Sequence, residues 1–519
     1  MCGISGIIGR IEPGDRERVQ NATRLLTHRG PDDDGLWSYG TADGSFGAVL
    51  GHRRLAIIDL RHSAAQPMID PATGTTLVFN GEIYNFLDLR TELEGLGESF
   101  VTDGDSEVIL RGYARWGDKI VERLRGMFAF AIVDPRAGRA LLARDGYGIK
   151  PLYTCELRDA QGVRAIAFAS EGRALVKAGF AAPVTEPQRL YQYLWNGYSS
   201  GPSTIWRDIN ELPRGSLATL DGGSRTIVPK RFWIPGHGKG SGASAAEMID
   251  ESVRLHLVSD VPKVVFLSGG IDSTALVGIA KKYETRLETM SLGFAEQDYD
   301  ETRFAQQIAK AAGTRHHSIH LTAPEMLASL DRAIASFDQP SFDGTNTWLV
   351  SRAAADLGFK VGLSGTGGDE LTGGYTSFRR LPKLARLLSP PFSPTAVFAA
   401  RAAAWLSPRQ AGRRKIVDLA RTQGDMAAIY QTQYALRSQA GTLALMADRS
   451  LPYHPYGLTA GRLAELDDEI EGLSPARAVS VLESEMFLGD RLLRDSDTVS
   501  MDNSIELRVP FVDTCLSDG

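Results

Sequence analysis

Glycine and apolar residues alternate through Cys2-Gly3-Ile4-Ser5-Gly6-Ile7-Ile8-Gly9, the two-residue period of a β-strand. Residues 125–134 alternate in the same way. The pattern predicts a first helix ending near His28-Arg29-Gly30-Pro31-Asp32 and, after Gly51-His52-Arg53-Arg54, an apolar strand at Leu55-Ala56-Ile57. Residues 79–85 read as a strand and turn, and Thr102-Asp103-Gly104-Asp105-Ser106-Glu107 precede a helix containing Val108, Ile109 and Leu110. Frequent short strands with few long helices before Trp206 point to stacked antiparallel sheets with flanking helices.

The apolar period disappears across residues 235–244, the most glycine-dense stretch of the chain, which marks a linker. Beyond it Val264-Val265-Phe266-Leu267 is a short continuous apolar run, as a buried parallel strand is, and residues 288–294 and 360–363 read as a second and a third strand. Helical patterns follow the first two, from Ala275 and from Asp300 to Ala312.

The chain has 519 residues, 43% hydrophobic and 23% charged, with a net charge of −6, so it carries no basic footprint for nucleic acid or an anionic membrane. A small-molecule substrate is the better expectation. Cys2, Cys155 and Cys515 are far apart and form no CxxC pair, which suits a reducing cytoplasm and excludes a zinc or redox motif of that type. The alanine-rich segment near residues 395–406 is too short and too charged to span a bilayer.

Between the first parallel strand and its helix lies Ser268-Gly269-Gly270-Ile271-Asp272-Ser273. Paired glycines let the backbone turn sharply and approach an anion, and the following helix points its free N–H groups there. Hydroxyls at Ser268 and Ser273 add donors for phosphate, and a carboxylate at Asp272 makes sense beside a triphosphate as a ligand for Mg²⁺. A second glycine-rich loop, Ser364-Gly365-Thr366-Gly367-Gly368-Asp369-Glu370, ends the third strand, where open α/β sheets bind ligands.

Cys2 would become the amino terminus once Met1 is removed. Its α-amino group, with a pKa near ~7.7–8.0, would then stand beside its own thiol, so that one residue supplies nucleophile and base. A lone buried cysteine would explain Cys2 alone, solvated charges Arg54 and Asp105, and a hairpin turn Asn80-Gly81.

Taken together these motifs carry a resemblance. Cys2-Gly-Ile-x-Gly, HRGPD at 28–32, NGEIYN at 80–85 and Asp105-x-Glu107 resemble the class II glutamine amidotransferase domain, and SGG-x-DS at 268–273 resembles the PP-loop of ATP pyrophosphatases. Their fusion, with Ser504 to Asp513 at the end, resembles the asparagine synthetase B family over nearly the whole chain. The resemblance implies two domains. The first, 1–215, would be an αββα glutaminase of the Ntn type, followed by a connecting segment and linker, 216–244. The second, 245–519, would be a doubly wound parallel sheet of the PP-loop type.

The implied enzyme is an ATP-dependent carbon–nitrogen ligase. Cys2 would attack glutamine, the Asn80 side chain and the Gly81 N–H would hold the oxyanion, and Arg54, Asn80, Glu82 and Asp105 would bind glutamine. Ammonia would then travel inside the protein to an adenylated carboxylate, aspartate in the family. ATP would meet Leu267, Ser268, Gly269, Gly270, Asp272, Ser273, Leu292, Ser364 and Gly365, and Asp272 and Asp369 would hold Mg²⁺. The partners implied are glutamine, ATP and an acid acceptor; a homodimer is admitted.

Three departures from the family pattern bear on these expectations. Thr366 stands where an acidic residue is usual and Thr498 where a basic one is common, so an acceptor other than aspartate stays open. The chain stops at Gly519, before the helices and lysine usual in the family, which implies weak adenylation. A non-catalytic glutamine or nucleotide sensor is the alternative of another class, and glutaminase turnover separates the two.

Overall fold

In the computed structural model, residues 2–517 are described except for 223–225, 239–241, 295–301, 391–394, 396–397, 400–401 and 403–409. The expected helix start at Asp300 and most of the alanine-rich stretch lie outside the described residues, as does the middle of the glycine-rich linker.

Period-two alternation builds two six-stranded antiparallel sheets. The first runs, in spatial order, Ile209–Glu211, Tyr153–Asp159, Gly162–Ala169, Gly3–Gly9, Gly47–Arg54 and Asp33–Gly40. The second runs Lys230–Arg231, Ser216–Asp221, Arg139–Arg144, Gly126–Asp134, Thr76–Ile83 and Met68–Ile69. Ile4, Ile8, Ala48 and Leu50 of one sheet face Val78, Ala129, Ala131 and Val133 of the other in a single buried layer. Alternate residues point outward and are covered in turn. Helix Asp15–Leu25 lays Val19 and Ala22 on the first sheet, and helices Phe86–Gly95 and Ser106–Trp116 lay Leu89, Leu93, Val108 and Ile109 on the second. The result is the expected αββα sandwich. The connecting segment expected from 216 contributes two strands to it. Residues 216–221 pair with Arg144 to Arg139 along their whole length, because Ser-Leu-Ala-Thr-Leu-Asp itself alternates.

The second half is a five-stranded all-parallel sheet in the order Arg315–Leu321, Glu288–Phe294, Lys263–Phe266, Val361–Leu363, Glu506–Arg508. Helices cover both faces. Ile271–Tyr283 and Thr302–Ala312 pack Leu276, Val277, Ala305 and Ala309 on one side, and Thr345–Asp356 packs Ala354 on the other. Helix Ala245–His256, opened by a Ser244–Glu247 capping box, leads into the sheet. Near the end, an 11-residue π-helical stretch, Glu483–Leu493, passes into helix Arg494–Met501. Leu55, Ile57, Tyr84 and Tyr147 from the sandwich share a core with Leu488, Leu493 and Phe511, so the two halves are fused through an apolar interface.

Two local expectations are corrected. Arg53 and Arg54 end a strand instead of preceding one, and Leu55 and Ile57 turn away from the sheet into the interdomain core. The helix expected from Ala275 begins at Ile271, because its first turn carries Asp, Ser and Thr, whose polarity hides the start of the apolar period.

Candidate functional site

Cys2 immediately precedes strand Gly3–Gly9, which pairs with residues 47–53 and so delivers it to the end of the sheet beside Arg54. Its backbone N–H donates to Asn80 Oδ1 at 3.0 Å, and its carbonyl accepts from Arg29 Nε at 3.2 Å. Burial pushes the Cys2 thiol pKa up, so the resting form is the neutral thiol and attack needs a base. Asn80 lies inside strand Thr76–Ile83 opposite Ala129, so Asn80-Gly81 is no hairpin turn. Its Oδ1 is committed to Cys2, while its Nδ2 is buried without a partner. Gly81 has φ 157°, and a Cβ there would stand 2.0 Å from the Met127 carbonyl oxygen, so no other residue fits.

Cys2, Arg54, Gly81, Glu82 and Asp105 line one narrow cavity, with Asn80 tied to it through Cys2. The Arg54 guanidinium is fixed by the carbonyls of Arg61 (3.0 Å) and Asp59 (2.5 Å), which aims its remaining donors. Asp105 accepts the Ile83 N–H at 2.8 Å and forms no ion pair among the described residues. Burial first, and Glu506 next, push its pKa up to about 6. A buried carboxylate lacking a cation beside an arginine that lacks an anion matches a free amino acid's ammonium and carboxylate. Glu82 stands apart from that logic, because Arg508 Nη2 lies 3.4 Å from its Oε1 and occupies it from the other domain. Burial, with Glu506 nearby, raises the Glu82 pKa well above its ordinary value.

The second cavity, of about 710 Å³, opens at the carboxyl ends of the parallel strands. Leu267, Ser268, Gly270, Asp272, Ser273, Leu292, Ser364, Gly365 and Asp369 all line it. Gly269, at φ 85°, makes the turn and does not itself line the cavity. Helix Ile271–Tyr283 has no side-chain cap, which leaves first-turn N–H groups for an anion. The Ser268 and Ser273 hydroxyls lie 3.1 Å apart at the same turn. Close approach of the second loop demands glycine, since a Cβ on Gly368 would stand 2.5 Å from Asp272 Cγ.

Burial and then Asp369 raise the pKa of Asp272, and neither carboxylate has an ion-pair partner among the described residues. Two facing carboxylates with no cation suit an ion that shares its remaining positions with phosphate oxygens and water, as Mg²⁺ does. Among the described residues no group of three or more metal-binding side chains is present.

Thr366 lines this cavity, with its hydroxyl 2.8 Å from Ser364 Oγ. Thr498 does not. It is buried, and its hydroxyl donates to the Arg494 carbonyl of its own helix. Ser496 faces the cavity instead.

Sequence reasoning assigned no role to the charges between the sites. Arg29 Nη2 donates to Asp497 Oδ2 at 2.7 Å, Lys150 Nζ to Asp497 Oδ1 at 3.2 Å, and Arg508 Nε to Glu506 Oε1 at 2.6 Å, all of them buried. Among the described residues no helix is long and apolar enough to cross a membrane.

Residues 1–233 match the glutamine amidotransferase domain family and residues 244–518 the asparagine synthase family. A putative glutamine-hydrolysing asparagine synthetase of Mycobacterium tuberculosis H37Rv is 33% identical over 99% of this chain and 80% of its own length. Asparagine synthetase 1 of Bacillus subtilis 168 is 30% identical over all of this chain and 80% of its own length. Asparagine synthetase B of Escherichia coli K12 is 32% identical over 75% of this chain and 67% of its own length. With both domains matched and the likeness running through both cavities, the chain belongs to the glutamine-hydrolysing asparagine synthetase family.

Proposed function

We propose that the protein is a glutamine-dependent amidotransferase that converts aspartate to asparagine at the expense of ATP. The observation that carries this reading is the Asn80 side chain, which takes the Cys2 N–H through Oδ1 and keeps a buried, unpaired Nδ2. Once Met1 is removed, the Cys2 amine would take the thiol proton and sulfur would attack the glutamine amide carbon. Asn80 Nδ2 and the Gly81 N–H would hold the resulting oxyanion. Collapse would break the C–N bond, release ammonia with the returned proton and leave a glutamyl thioester for water to hydrolyse. Arg54 would bind the α-carboxylate and Asp105 the ammonium.

In the second cavity the 268–273 turn would cradle the phosphates, with Leu292, Ser364 and Gly365 around the nucleoside. Mg²⁺ held by Asp272 and Asp369 would neutralise phosphate charge. The acceptor carboxylate would displace pyrophosphate, and ammonia would then displace AMP.

A different acceptor acid is favoured by one observation. Beside the two carboxylates Asp272 and Asp369, the polar side chains lining the cavity, among them Asn346, Thr347, Thr366 and Ser496, are neutral, and among the described residues no basic side chain lines it to pair the second carboxylate of aspartate. The deciding experiment is mass spectrometry of the amide formed from ATP, Mg²⁺, glutamine and competing acids. Asparagine as the main product supports the first reading, and an amide of another acid the second.

A further inference from the structure

The nucleophile is held from both sides of its backbone. Asn80, on the same domain, takes the Cys2 N–H, and Arg29 takes the carbonyl. Arg29 is fully buried, and a buried guanidinium needs anions. It has two: Glu171 at 3.4 Å from Nη1 and Asp497 at 2.7 Å from Nη2. Glu171 is shared with His28 at 2.7 Å and Arg173 at 2.6 Å, and Asp497 with Lys150 at 3.2 Å through its other oxygen, so the shorter contact of Arg29, and the one whose oxygen it does not share, is that to Asp497 Oδ2. Asp497 lies 468 residues away in sequence, on the helix whose preceding residue, Ser496, faces the nucleotide cavity.

We infer that Asp497, contributed by the synthetase domain, is a positioning residue for glutamine hydrolysis, fixing the Cys2 carbonyl through Arg29. The inference rests on the glutaminase reading of Cys2. Asp497 touches neither substrate, and its effect is geometric. Without it, Arg29 turns toward Glu171 or admits water, and the thiol loses its alignment with Asn80 Nδ2 and Gly81. Displacement of a reacting group by about 1 Å costs up to about 100-fold in rate.

The test compares Asp497→Asn, Asp497→Glu and Arg29→Lys in the full chain, measuring glutaminase kcat and glutamine KM beside ammonia-dependent synthesis. Asp497→Asn is expected to lower glutaminase kcat by about 10-fold to 100-fold while glutamine KM stays within about twofold. Asp497→Glu restores part of the rate, because the anion returns on a longer arm. Arg29→Lys, whose single nitrogen cannot reach both partners, repeats the loss. Unchanged kcat in any soluble Asp497→Asn or Arg29→Lys preparation overturns the inference. So does a parallel fall in ammonia-dependent synthesis, which would mark a merely structural junction. Absence of glutaminase activity in the unmodified protein would overturn the reading of Cys2 itself.

Discussion

Asn80 Oδ1 receives the Cys2 backbone N–H at 3.0 Å, which fixes the amide plane and leaves Nδ2 buried and unpaired. Replacing Asn80 by Ala removes both the anchor and the donor. The expected outcome is a glutaminase kcat lower by about 10²–10³, the usual effect of losing one oxyanion donor, measured as glutamate release under saturating glutamine. A loss smaller than threefold contradicts the assignment.

Cys2→Ala separates the two reactions. Glutamine-dependent amide formation is expected to vanish while synthesis with added ammonium chloride continues, because the proposed role of the thiol is confined to making ammonia. Equal loss with both nitrogen sources would exclude a division of labour between the cavities.

Asp105 gives the glutaminase a pH signature. Its carboxyl, held at about 6 by burial, must ionise to pair an ammonium, so glutamine KM is expected to rise as pH falls below about 6. The limit is about tenfold per pH unit, and bound glutamine itself pulls the pKa down. The stability effect has the opposite sense. A raised folded-state pKa stabilises the fold below the unfolded carboxylate range, and that contribution is lost as pH rises through 6. Asp105→Asn should abolish the pH dependence of KM between 5 and 7, and its persistence there would assign it to another group.

Asp272→Asn removes one of two carboxylates that line the second cavity. Pyrophosphate release is expected to fall by at least about 100-fold with glutaminase intact, if the carboxylate serves only phosphate charge as proposed. Burial first, and Asp369 next, raise the Asp272 pKa, and a bound cation would offset both. Adding Mg²⁺ to the unmodified protein should therefore raise its melting temperature, and no shift in saturating metal would argue against binding there.

Gly81→Ala tests the backbone. The added methyl meets the Met127 carbonyl oxygen at 2.0 Å in a fixed antiparallel ladder, a strain on the order of 1–3 kcal/mol. Differential scanning calorimetry should show a lowered unfolding temperature together with lost glutaminase activity.

Much of this architecture is legible in the chain itself. Cys2, Arg54, Gly81, Glu82 and Asp105 line one cavity, and although Cys2, Arg54, Gly81 and Asp105 each have a bland reading alone, the joint order of the motifs along the chain makes the site legible. The 268–273 turn is legible for the same reason: a strand, two glycines and a run of hydroxyls and acid have a mechanism in common. Arg29, Lys150, Asp497 and Arg508 are different. In sequence an isolated charged residue reads as solvated, and only the folding of two distant segments onto each other makes these four buried. Thr498 shows the converse. It stands where a charge is usual in the family, yet its hydroxyl is spent on its own helix. Leu55 and Ile57 read as a strand because apolar residues follow a polar pair, whereas they pack in a core built from both halves of the chain.

Strand Glu506–Arg508 alternates like any other, and its three residues divide their allegiance. Leu507 lines the nucleotide cavity, while Arg508 reaches across to Glu82 and Glu506 braces Arg508. Together with Ser496 and Asp497, these residues put one set of interdomain contacts into a short stretch near the end of the chain, far from the glycine-rich linker at 235–244, while Asp338 and Asp490 carry others to Gly172 and Arg214. A chimera that joins this glutaminase to a foreign synthetase at the linker would therefore inherit a mismatched seam. To transplant this glutaminase as a working unit, the exchange must carry residues 494–513 with it, and the natural cut for domain shuffling is not where the chain is most easily cut.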